Sequence, residues 1–217
     1  MKQVAVILSG SGVFDGAELH EAVLTLLAIE LEGATYQCFA PDVEQLHVVN
    51  HLTGDVAEGE SRNVLVESAR IARGDIKPVS ECDVNAFDTL ILPGGFGAAK
   101  NLCTFAVDGD ACTFNEDVLE VCRAFASAKK PAAYACIAPA LAAKVYGNNV
   151  KLTIGNDEAT ASGLNALGAT HVNCNVDEVV IDNEAKLVTT PAYMLAQSIT
   201  EAHKSISKMV KTVLSMK

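Results

Sequence analysis

Cys136 ends a run of small and apolar residues, and Pro139 follows shortly after it. Because proline is well tolerated in a first helical turn, this pattern predicts a strand over residues 132–135, a sharp turn at Cys136 and a helix from about Pro139. The small side chains of Ala135 and Ala138 leave room for the strained backbone of such a turn. The amino end of a helix stabilises a thiolate, so we expect a lowered pKa for Cys136. Cys136 is therefore a candidate nucleophile; the alternative is an ordinary buried cysteine in an alanine-rich layer.

A glycine-rich segment beginning at Pro93 is the second candidate, and it directly follows a predicted strand over residues 89–92. Glycines allow backbone N–H groups to approach a ligand oxygen, as an oxyanion hole requires. The expected donors are Gly95 and the residue after the nucleophile, Ile137. Ligands of open α/β sheets bind at the carboxyl ends of the strands, so the two loops together indicate one site. A simple turn is the alternative for the glycine segment.

A loop with three glycines, residues 10–16, superficially matches a dinucleotide-binding turn. Three acidic residues, Asp15, Glu18 and Glu21, crowd the same place. Like unit charges roughly 4 Å apart repel by about 4 kcal/mol at an effective dielectric of 20, which disfavours a bound phosphate. We expect a tight turn whose acidic residues complement the dipole of the following helix.

Short apolar runs alternate with amphipathic stretches, which is typical of βαβ units on a mostly parallel sheet. Strands are predicted over residues 4–8, 36–40, 89–92, 132–135, 152–154, 179–181 and 186–189, and helices over residues 17–31, 64–72, 118–126 and 193–214. In the first helix the apolar arc that we expect to face the core is Leu19, Ala22, Val23, Leu26, Leu27 and Ile29. Residues 42–62 carry few periodic signals and are predicted to leave the core.

The chain has 217 residues with 27 acidic and 16 basic side chains, a net charge of −11, and half of the residues are hydrophobic. A surface this acidic repels phosphate backbones and anionic lipid headgroups, so we expect no nucleic acid and no membrane partner. A chain of this length can bury a sufficient core without disulfides or metals. With no repeat and no linker, a single domain over residues 1–217 is predicted.

The cysteines and the first apolar run bear on location. Residues 4–8 are too few for a secretory hydrophobic region, which needs about 7 to 15 residues. Seven cysteines are an odd number without C-x-x-C spacing, which favours free thiols in a reducing compartment. We therefore expect a cytoplasmic protein. No His, Cys, Asp or Glu cluster has metal-ligand spacing, so neither a metal nor another cofactor is expected.

Several strings together resemble the ThiJ/PfpI superfamily of the class I glutamine amidotransferase-like fold, and within it the enhancing-lycopene-biosynthesis (ElbB) family. They are residues 8–10, 15–16, 20–23, 50–54, 62–65, 93–102, 136–140 and 189–197. The resemblance spans nearly the whole chain. It implies a flavodoxin-like three-layer sandwich, with a mostly parallel central sheet and helices on both faces, and a homodimer with Cys136 as nucleophile.

The same resemblance implies roles for individual residues. A glutamate of the first helix contacts the thiol in this superfamily; the offset from the strand points to Glu21, with Glu18 one turn earlier as the competitor. Glu18, Gly94 and Asn101 are candidates for contacting the substrate. The implied activity is that of a glutathione-independent glyoxalase that converts glyoxal or methylglyoxal to the hydroxyacid, or of a protein deglycase, associated with isoprenoid biosynthesis. The implied partner is a small reactive carbonyl compound.

The sequence also departs from the superfamily pattern. Many members carry histidine directly after the cysteine or on a later loop, where this chain has Ile137 and Gly155. Residues 190–192 replace the His-x-Glu of true amidotransferases, so we expect no amidotransferase activity. Either His20 or His51 could approach the site. The alternative for each is a solvated or core histidine. A reactive cysteine without histidine also suits a redox sensor or regulatory binding protein, which is the alternative to an enzyme.

Overall fold

The computed structural model describes residues 1–216, which form nine strands and eight α-helices. The strands are β1 Gln3–Ile7, β2 Thr35–Ala40, β3 Ile76–Pro78, β4 Thr89–Leu92, β5 Ala132–Ala135, β6 Lys151–Leu152, β7 Thr170–His171, β8 Val180–Asp182 and β9 Leu187–Thr190. The helices are α1 Leu19–Leu31, α2 Val64–Ile71, α3 Phe96–Lys100, α4 Phe105–Asp108, α5 Glu116–Ser127, α6 Ala142–Tyr146, α7 Glu158–Ala166 and α8 Ile199–Ser215.

Seven strands form the central sheet, in the order β3-β2-β1-β4-β5-β9-β8. Every neighbouring pair is parallel except β8 and β9. All residues of β4, β5 and β9 are buried. Because successive side chains of a strand point to opposite faces, this burial means that both faces of the sheet are covered. The predicted flavodoxin-like α/β sandwich is confirmed.

The central strands bring the glycine segment and Cys136 to one edge. β4 and β5 have the predicted bounds and lie side by side, with Leu92 opposite Tyr134. Since they are parallel, the residues that follow them emerge together at the carboxyl edge of the sheet. β9 lies on the other side of β5, so its carboxyl end opens at the same place.

The predicted apolar arc of α1 is confirmed for Ala22, Leu26 and Ile29, which are buried, and wrong for its other three members. Leu19, Val23 and Leu27 are 45%, 52% and 42% exposed, whereas Glu21 and Thr25 are fully buried. The helix packs beside α8, and its inward face carries both polar and apolar side chains. The exposed apolar residues at four-residue spacing therefore form a stripe on the solvent side of α1.

The homodimer implied by the resemblance stays a prediction.

Two predicted helices are shorter than expected. The last one begins at Ile199 rather than near residue 193, because Ser198 caps it by accepting the N–H of Glu201 at 3.2 Å. After Cys136 the chain first forms a short 3-10 helix, Ala138–Leu141, and then the brief α6. No helix within residues 1–216 combines the length and apolarity needed to cross a bilayer.

Residues 42–62 fold back over the first glycine loop. Val49 and Val56 pair as an isolated antiparallel bridge. The Val49 N–H donates to the Asp15 carboxylate at 2.7 Å, and Val48 and Val49 are both buried. The segment thus contributes buried side chains and holds the turn that leads into α1.

The two border strands of the sheet are short. β3 has three residues and ends at Pro78. β8, at the opposite border, also has three residues. Between them lie β4, β5 and β9, whose residues are all buried and which end at the site.

Candidate active site around Cys136

Cys136 lies on a strained turn at the carboxyl end of β5. Its φ angle is +58°, in the left-handed region that costs a non-glycine residue about 1–3 kcal/mol. Its N–H still donates to the Thr190 carbonyl at 2.9 Å, which continues the pairing of β5 with β9. The predicted sharp turn is present, and it lifts the thiol out of the strand toward the sheet edge.

The Glu21 carboxyl lies directly against this thiol. Glu21 is fully buried, its Oε2 and the Cys136 Sγ would lie 2.6 and 2.9 Å from a Cβ placed on Gly94, and each group shifts the pKa of the other. One carboxyl oxygen accepts the N–H of Gly94 at 2.9 Å and the other accepts the N–H of Tyr193 at 3.0 Å. The loops after β4 and β9 therefore clamp the carboxyl of α1 beneath the thiol of β5. Glu21, and not Glu18, is the residue in contact with Cys136.

The missing side chain of Gly94 makes this contact geometrically possible. A Cβ at position 94 would lie 2.3 Å from the Cys136 Cβ and 2.6 Å from the Glu21 Oε2. The Gly94 N–H is occupied by Glu21, so this residue supports the carboxyl. The geometry does not favour the expected contact of Gly94 with a substrate.

Burial dominates the electrostatics of the pair. Desolvation raises the pKa of Glu21 to about 7, with the N–H of Tyr193 acting in the opposite direction and the charge of Glu18 adding to the rise. Burial, and next the charge of Glu21, raise the pKa of the Cys136 thiol well above its usual value. The thiol is therefore protonated at neutral pH, beside a carboxyl that titrates there.

The predicted lowering of the Cys136 pKa is thus wrong. The N–H groups of Gly95 and Ile137 do lower the pKa of the thiol, but burial and Glu21 outweigh them. The helix expected to stabilise the thiolate is only the 3-10 turn Ala138–Leu141. A thiolate must also lose its hydration in this position, since Cys136 is 7% exposed.

Glu18 has a different position from Glu21 although it is one turn away. Its extended backbone makes it the N-cap of α1, and its carboxylate accepts the N–H of Glu21 at 2.7 Å. This contact satisfies one of the free N–H groups at the start of the helix. Glu18 also lines the cavity above the thiol, so it is placed both to cap the helix and to face a substrate.

A cavity of about 210 Å³ opens over the sulfur. Its walls are mostly apolar, and they are formed by Val13, Glu18, Gly95, Phe96, Cys136, Ile137, Thr160, Tyr193 and Met194. Among these lining residues, all within the described part of the chain, Glu18 carries a carboxylate and none is cationic. The predicted oxyanion donors Gly95 and Ile137 both border the cavity. The space suits a small, uncharged molecule.

Asn101 does not reach this cavity. Its side-chain oxygen accepts the N–H of Leu46 at 2.9 Å, and its side-chain nitrogen donates to the carbonyls of Ser9 and Asp15 at 2.8 and 2.9 Å. The polar atoms of Asn101 are therefore used to join three loops. The predicted substrate contact of this residue is replaced by a structural one.

One of the two candidate histidines lies at the cavity mouth. His20 Nδ1 is 2.8 Å from the Tyr193 hydroxyl, and Tyr193 lines the cavity. His51 instead accepts the N–H of Phe14 at 3.2 Å and packs against the Phe14 ring. No motif in the sequence marks Tyr193 as a site residue. Its position just after β9, the neighbour of β5, is the one signal that indicates it.

The remaining cysteines lie outside the cavity and are free thiols: Cys38, Cys82, Cys103, Cys112, Cys122 and Cys174. Burial raises the pKa of Cys82 and of Cys174 to about 11. Within residues 1–216, no three His, Cys, Asp or Glu side chains are grouped so as to hold a metal ion.

Comparisons with known proteins fix the family. No protein-family model matches the chain. It is 47% identical to the rat "ES1 protein homolog, mitochondrial" over 99% of this chain and 84% of that protein. The human "glutamine amidotransferase-like class 1 domain-containing protein 3, mitochondrial" is also 47% identical, over 99% of this chain and 83% of the relative. The chain belongs to the ES1 family.

Solved structures place this ES1-family chain in the DJ-1/ThiJ/PfpI fold. A crystal structure of an isoprenoid biosynthesis protein with amidotransferase-like domain, from Ehrlichia chaffeensis, superimposes with a TM-score of 0.92 and is 34% identical, covering 100% of this chain and 99% of that one. Drosophila melanogaster DJ-1beta shares the fold at a TM-score of 0.57 and 18% identity, covering 98% and 90% of the two chains. The amidotransferase-like fold expected from the motifs is confirmed.

The expected location of the ES1-family chain needs correction. The rat and human relatives are both named mitochondrial proteins, so the prediction of a cytoplasmic protein is wrong. That prediction depended on a test for secretory hydrophobic regions and on cysteine spacing. Neither signal distinguishes the cytosol from the mitochondrial interior, because mitochondrial targeting uses amphipathic, arginine-rich segments instead.

Proposed function

We propose that the protein is a glutathione-independent glyoxalase-like enzyme that converts glyoxal or methylglyoxal to the hydroxyacid through Cys136. The observation that carries this proposal is the contact between the Cys136 thiol and the buried Glu21 carboxyl, whose pKa is raised to about 7. A base that titrates near neutral pH is well matched to removing a thiol proton as the sulfur attacks.

The first step is addition of the thiol to the aldehyde. Glu21, as carboxylate, takes the proton from Cys136 while the sulfur forms a bond with the aldehyde carbon. The electron pair of the carbonyl bond moves to oxygen, and the N–H groups of Gly95 and Ile137, which border the cavity, stabilise it in this proposal. The proton then passes from Glu21 to this oxygen, and a hemithioacetal results.

The second step is an internal redox exchange between the two carbons. Glu21 takes the proton from the carbon that bears sulfur and returns it to the neighbouring carbonyl carbon. The hydroxyl proton of the first carbon moves to the oxygen of the second, so the first carbon is oxidised to a thioester, the second is reduced to an alcohol and no external oxidant is required. Water then cleaves the thioester, releasing the hydroxyacid and restoring the Cys136 thiol.

The cavity supports a small neutral substrate. Its volume of about 210 Å³ lies below the usual range of about 300–1,000 Å³ for pockets that hold drug-sized ligands, which argues against a bulky glutathione adduct. The Glu18 carboxylate at the wall disfavours anions. Glyoxal and methylglyoxal are small and uncharged, as these walls require.

The redox-sensor alternative has less support. Sensor cysteines are accessible thiols with a low pKa, because oxidants react with the thiolate. Cys136 is 7% exposed, and the pKa of its thiol is raised. An association with isoprenoid biosynthesis is part of our proposal, since the 34% identical Ehrlichia protein carries that description.

Turnover tests the proposal. The purified protein is incubated with methylglyoxal without glutathione, and the hydroxyacid is quantified by NMR. We expect many equivalents of product per chain, loss of product with Cys136→Ser, and an unchanged rate with the matched variant Cys112→Ser. Consumption of aldehyde without hydroxyacid, or equal rates for Cys136→Ser and the wild type, would overturn it.

A further inference from the structure

We infer that Tyr193 is a further catalytic residue, whose phenol donates a proton to the second carbonyl oxygen of a dicarbonyl substrate, and that His20 is its positioning residue. This inference rests on the proposed function. It assigns a proton donor at a site whose superfamily relatives often use histidine, where this chain has Ile137 and Gly155.

The backbone fixes Tyr193 at the cavity. Tyr193 directly follows Ala192, which has a left-handed φ of +45° and whose N–H donates to the Ser205 hydroxyl at 3.1 Å. This turn aims the N–H of Tyr193 at Glu21, 3.0 Å away, and Tyr193 borders the cavity above Cys136 with its half-exposed side chain beside His20. One segment therefore holds the Glu21 carboxyl and presents a phenol to the same space.

The contact with His20 orients the phenol. His20 Nδ1 lies 2.8 Å from the hydroxyl oxygen, and the two rings are 5.7 Å apart with a 47° tilt. With its hydrogen on Nδ1, His20 donates to the phenol oxygen and leaves the phenol O–H free to donate into the cavity. In this arrangement Tyr193 is a proton donor on a wall that is otherwise mostly apolar.

The chemistry needs a donor at this place. The oxygen on the attacked carbon has the N–H groups of Gly95 and Ile137, but the neighbouring carbonyl oxygen needs its own donor as the enediol forms. The N–H groups of Gly94 and Tyr193 are occupied by Glu21. Among the residues that line the cavity, the side-chain hydroxyls belong to Tyr193 and Thr160. Tyr193 has the partner that orients its hydroxyl.

The proton balance closes without another reactant. As Glu21 removes the proton from the sulfur-bearing carbon, the electron pair forms the carbon–carbon double bond and Tyr193 protonates the second carbonyl oxygen. The phenolate then takes the proton of the hydroxyl on the first carbon, which becomes the thioester carbonyl. Glu21 delivers its proton to the second carbon, and both residues return to their starting forms.

Tyr193→Phe tests the assignment because it keeps the ring and the N–H to Glu21 and removes only the hydroxyl. We expect kcat for methylglyoxal to fall about 100-fold, within the usual range of acid–base assistance, while KM changes less than about threefold. Alkylation of Cys136 by iodoacetamide should stay within about twofold of the wild type. Tyr36→Phe, near the amino end of β2 and the opposite sheet edge, is the matched control and should retain full activity.

His20→Ala provides a second, independent measurement. It should lower kcat about tenfold in the wild type and have no effect in the Tyr193→Phe background, which is the coupling expected of a residue that acts through another. Wild-type kcat in Tyr193→Phe, or a loss produced by Thr160→Val instead, overturns the assignment while the proposed function stands. Absence of hydroxyacid with the wild type overturns the proposed function and this assignment with it.

Discussion

The carboxylate of Glu18 accepts the N–H of Glu21 at 2.7 Å, so the two acids that the sequence left as competitors are linked to each other. Glu18 precedes the first helical turn with an extended backbone, and its side chain folds back over the helix end. Glu21 lies within the first turn and points beneath it, to Cys136. A spacing of one turn therefore separates a capping acid at the cavity wall from the acid that contacts the thiol.

Replacing the Glu21 carboxyl should separate nucleophilicity from turnover. Glu21→Gln removes the base, so hydroxyacid formation should fall about 10² to 10⁴-fold. The same change removes a negative charge beside the sulfur and should lower the pKa of the Cys136 thiol. The pH dependence of iodoacetamide alkylation, followed by peptide mass spectrometry, measures this second effect. A thiol pKa that rises in the variant would contradict it.

The pH–rate profile should follow the Glu21 carboxyl. Glu21 must be ionised to take the thiol proton, and burial raises its pKa to about 7. kcat/KM should therefore be low at pH 5, rise through about pH 7 and level off above it. Stopped-flow or initial-rate measurements in buffers of constant ionic strength test this. A rise centred near the ordinary carboxyl value of 4.5 would show that Glu21 is not the base.

The same titration should affect stability. Because the pKa of Glu21 is higher in the folded state, the folded protein holds this proton more tightly, and its stability falls as the pH rises from about 4.5 through about 7. A shift of this size corresponds to roughly 3 kcal/mol at pH 8. Glu21→Gln should recover part of this lost stability. About 1 kcal/mol of the gain should be offset, because the amide leaves one backbone N–H imperfectly paired.

Urea unfolding of wild type and Glu21→Gln at pH 5 and pH 8 measures this difference. The variant should gain stability relative to the wild type only at pH 8. Glu158→Gln, on the exposed start of α7, is the matched control and should show no such pH dependence. An equal gain at both pH values would indicate that desolvation of the charge is not the cause.

A methyl group at Gly94 should disrupt the thiol–carboxyl contact. The Cβ of Gly94→Ala would lie 2.3 Å from the Cys136 Cβ, so one of the two strand ends must shift. We expect activity to fall at least 100-fold and stability to fall by roughly 1–3 kcal/mol. Gly163→Ala is the control, since its Cβ would approach only the Phe105 ring, at 2.9 Å, within a helix that favours alanine. Near-normal turnover in Gly94→Ala would count against the site geometry.

The Glu18 charge should set selectivity against anions. In Glu18→Gln, inhibition by glyoxylate should strengthen about tenfold, the effect of a charge repulsion near 1.4 kcal/mol, while KM for methylglyoxal changes little. The amide oxygen can still accept the Glu21 N–H, so the cap is retained. Asp83→Asn, another acidic N-cap outside the cavity, should leave both constants unchanged. A parallel change in the inhibition by glyoxylate and in the KM for methylglyoxal would point to a packing effect instead.

The sequence was most informative where side-chain type and backbone geometry coincide. Pro93 marks the end of β4, and small residues surround Cys136, so both strand ends and their meeting point were predictable. Tyr193 was not, because its N–H contact with Glu21 and its position beside the cavity are encoded by no motif. The helix predicted over residues 193–214 wrongly included Tyr193. It begins later because Ser198 caps it, and that capping role depends on the turn that precedes Ser198.

Burial explains the two largest errors. The sequence indicates that a helix follows Cys136, but the depth of the thiol and the distance to Glu21 depend on packing of four separate segments. Likewise, hydrophobicity suggested that Leu19 and Val23 face the core, yet the sheet accepts Glu21 and Thr25 there. A carboxyl that contacts a buried thiol must lie on the inward face of its helix, and Glu21 does so beside the buried Ala22.

The short border strands limit how the sheet can grow. An open sheet edge is a template for another chain, and proteins that leave a long, flat one exposed tend toward fibrous aggregation. Here one border offers only three residues and is closed by Pro78, which has no N–H to donate, and the other offers three residues of β8. The interior strands, most of whose residues are buried and which would be hazardous at an edge, are thus kept from templating amyloid-type assembly.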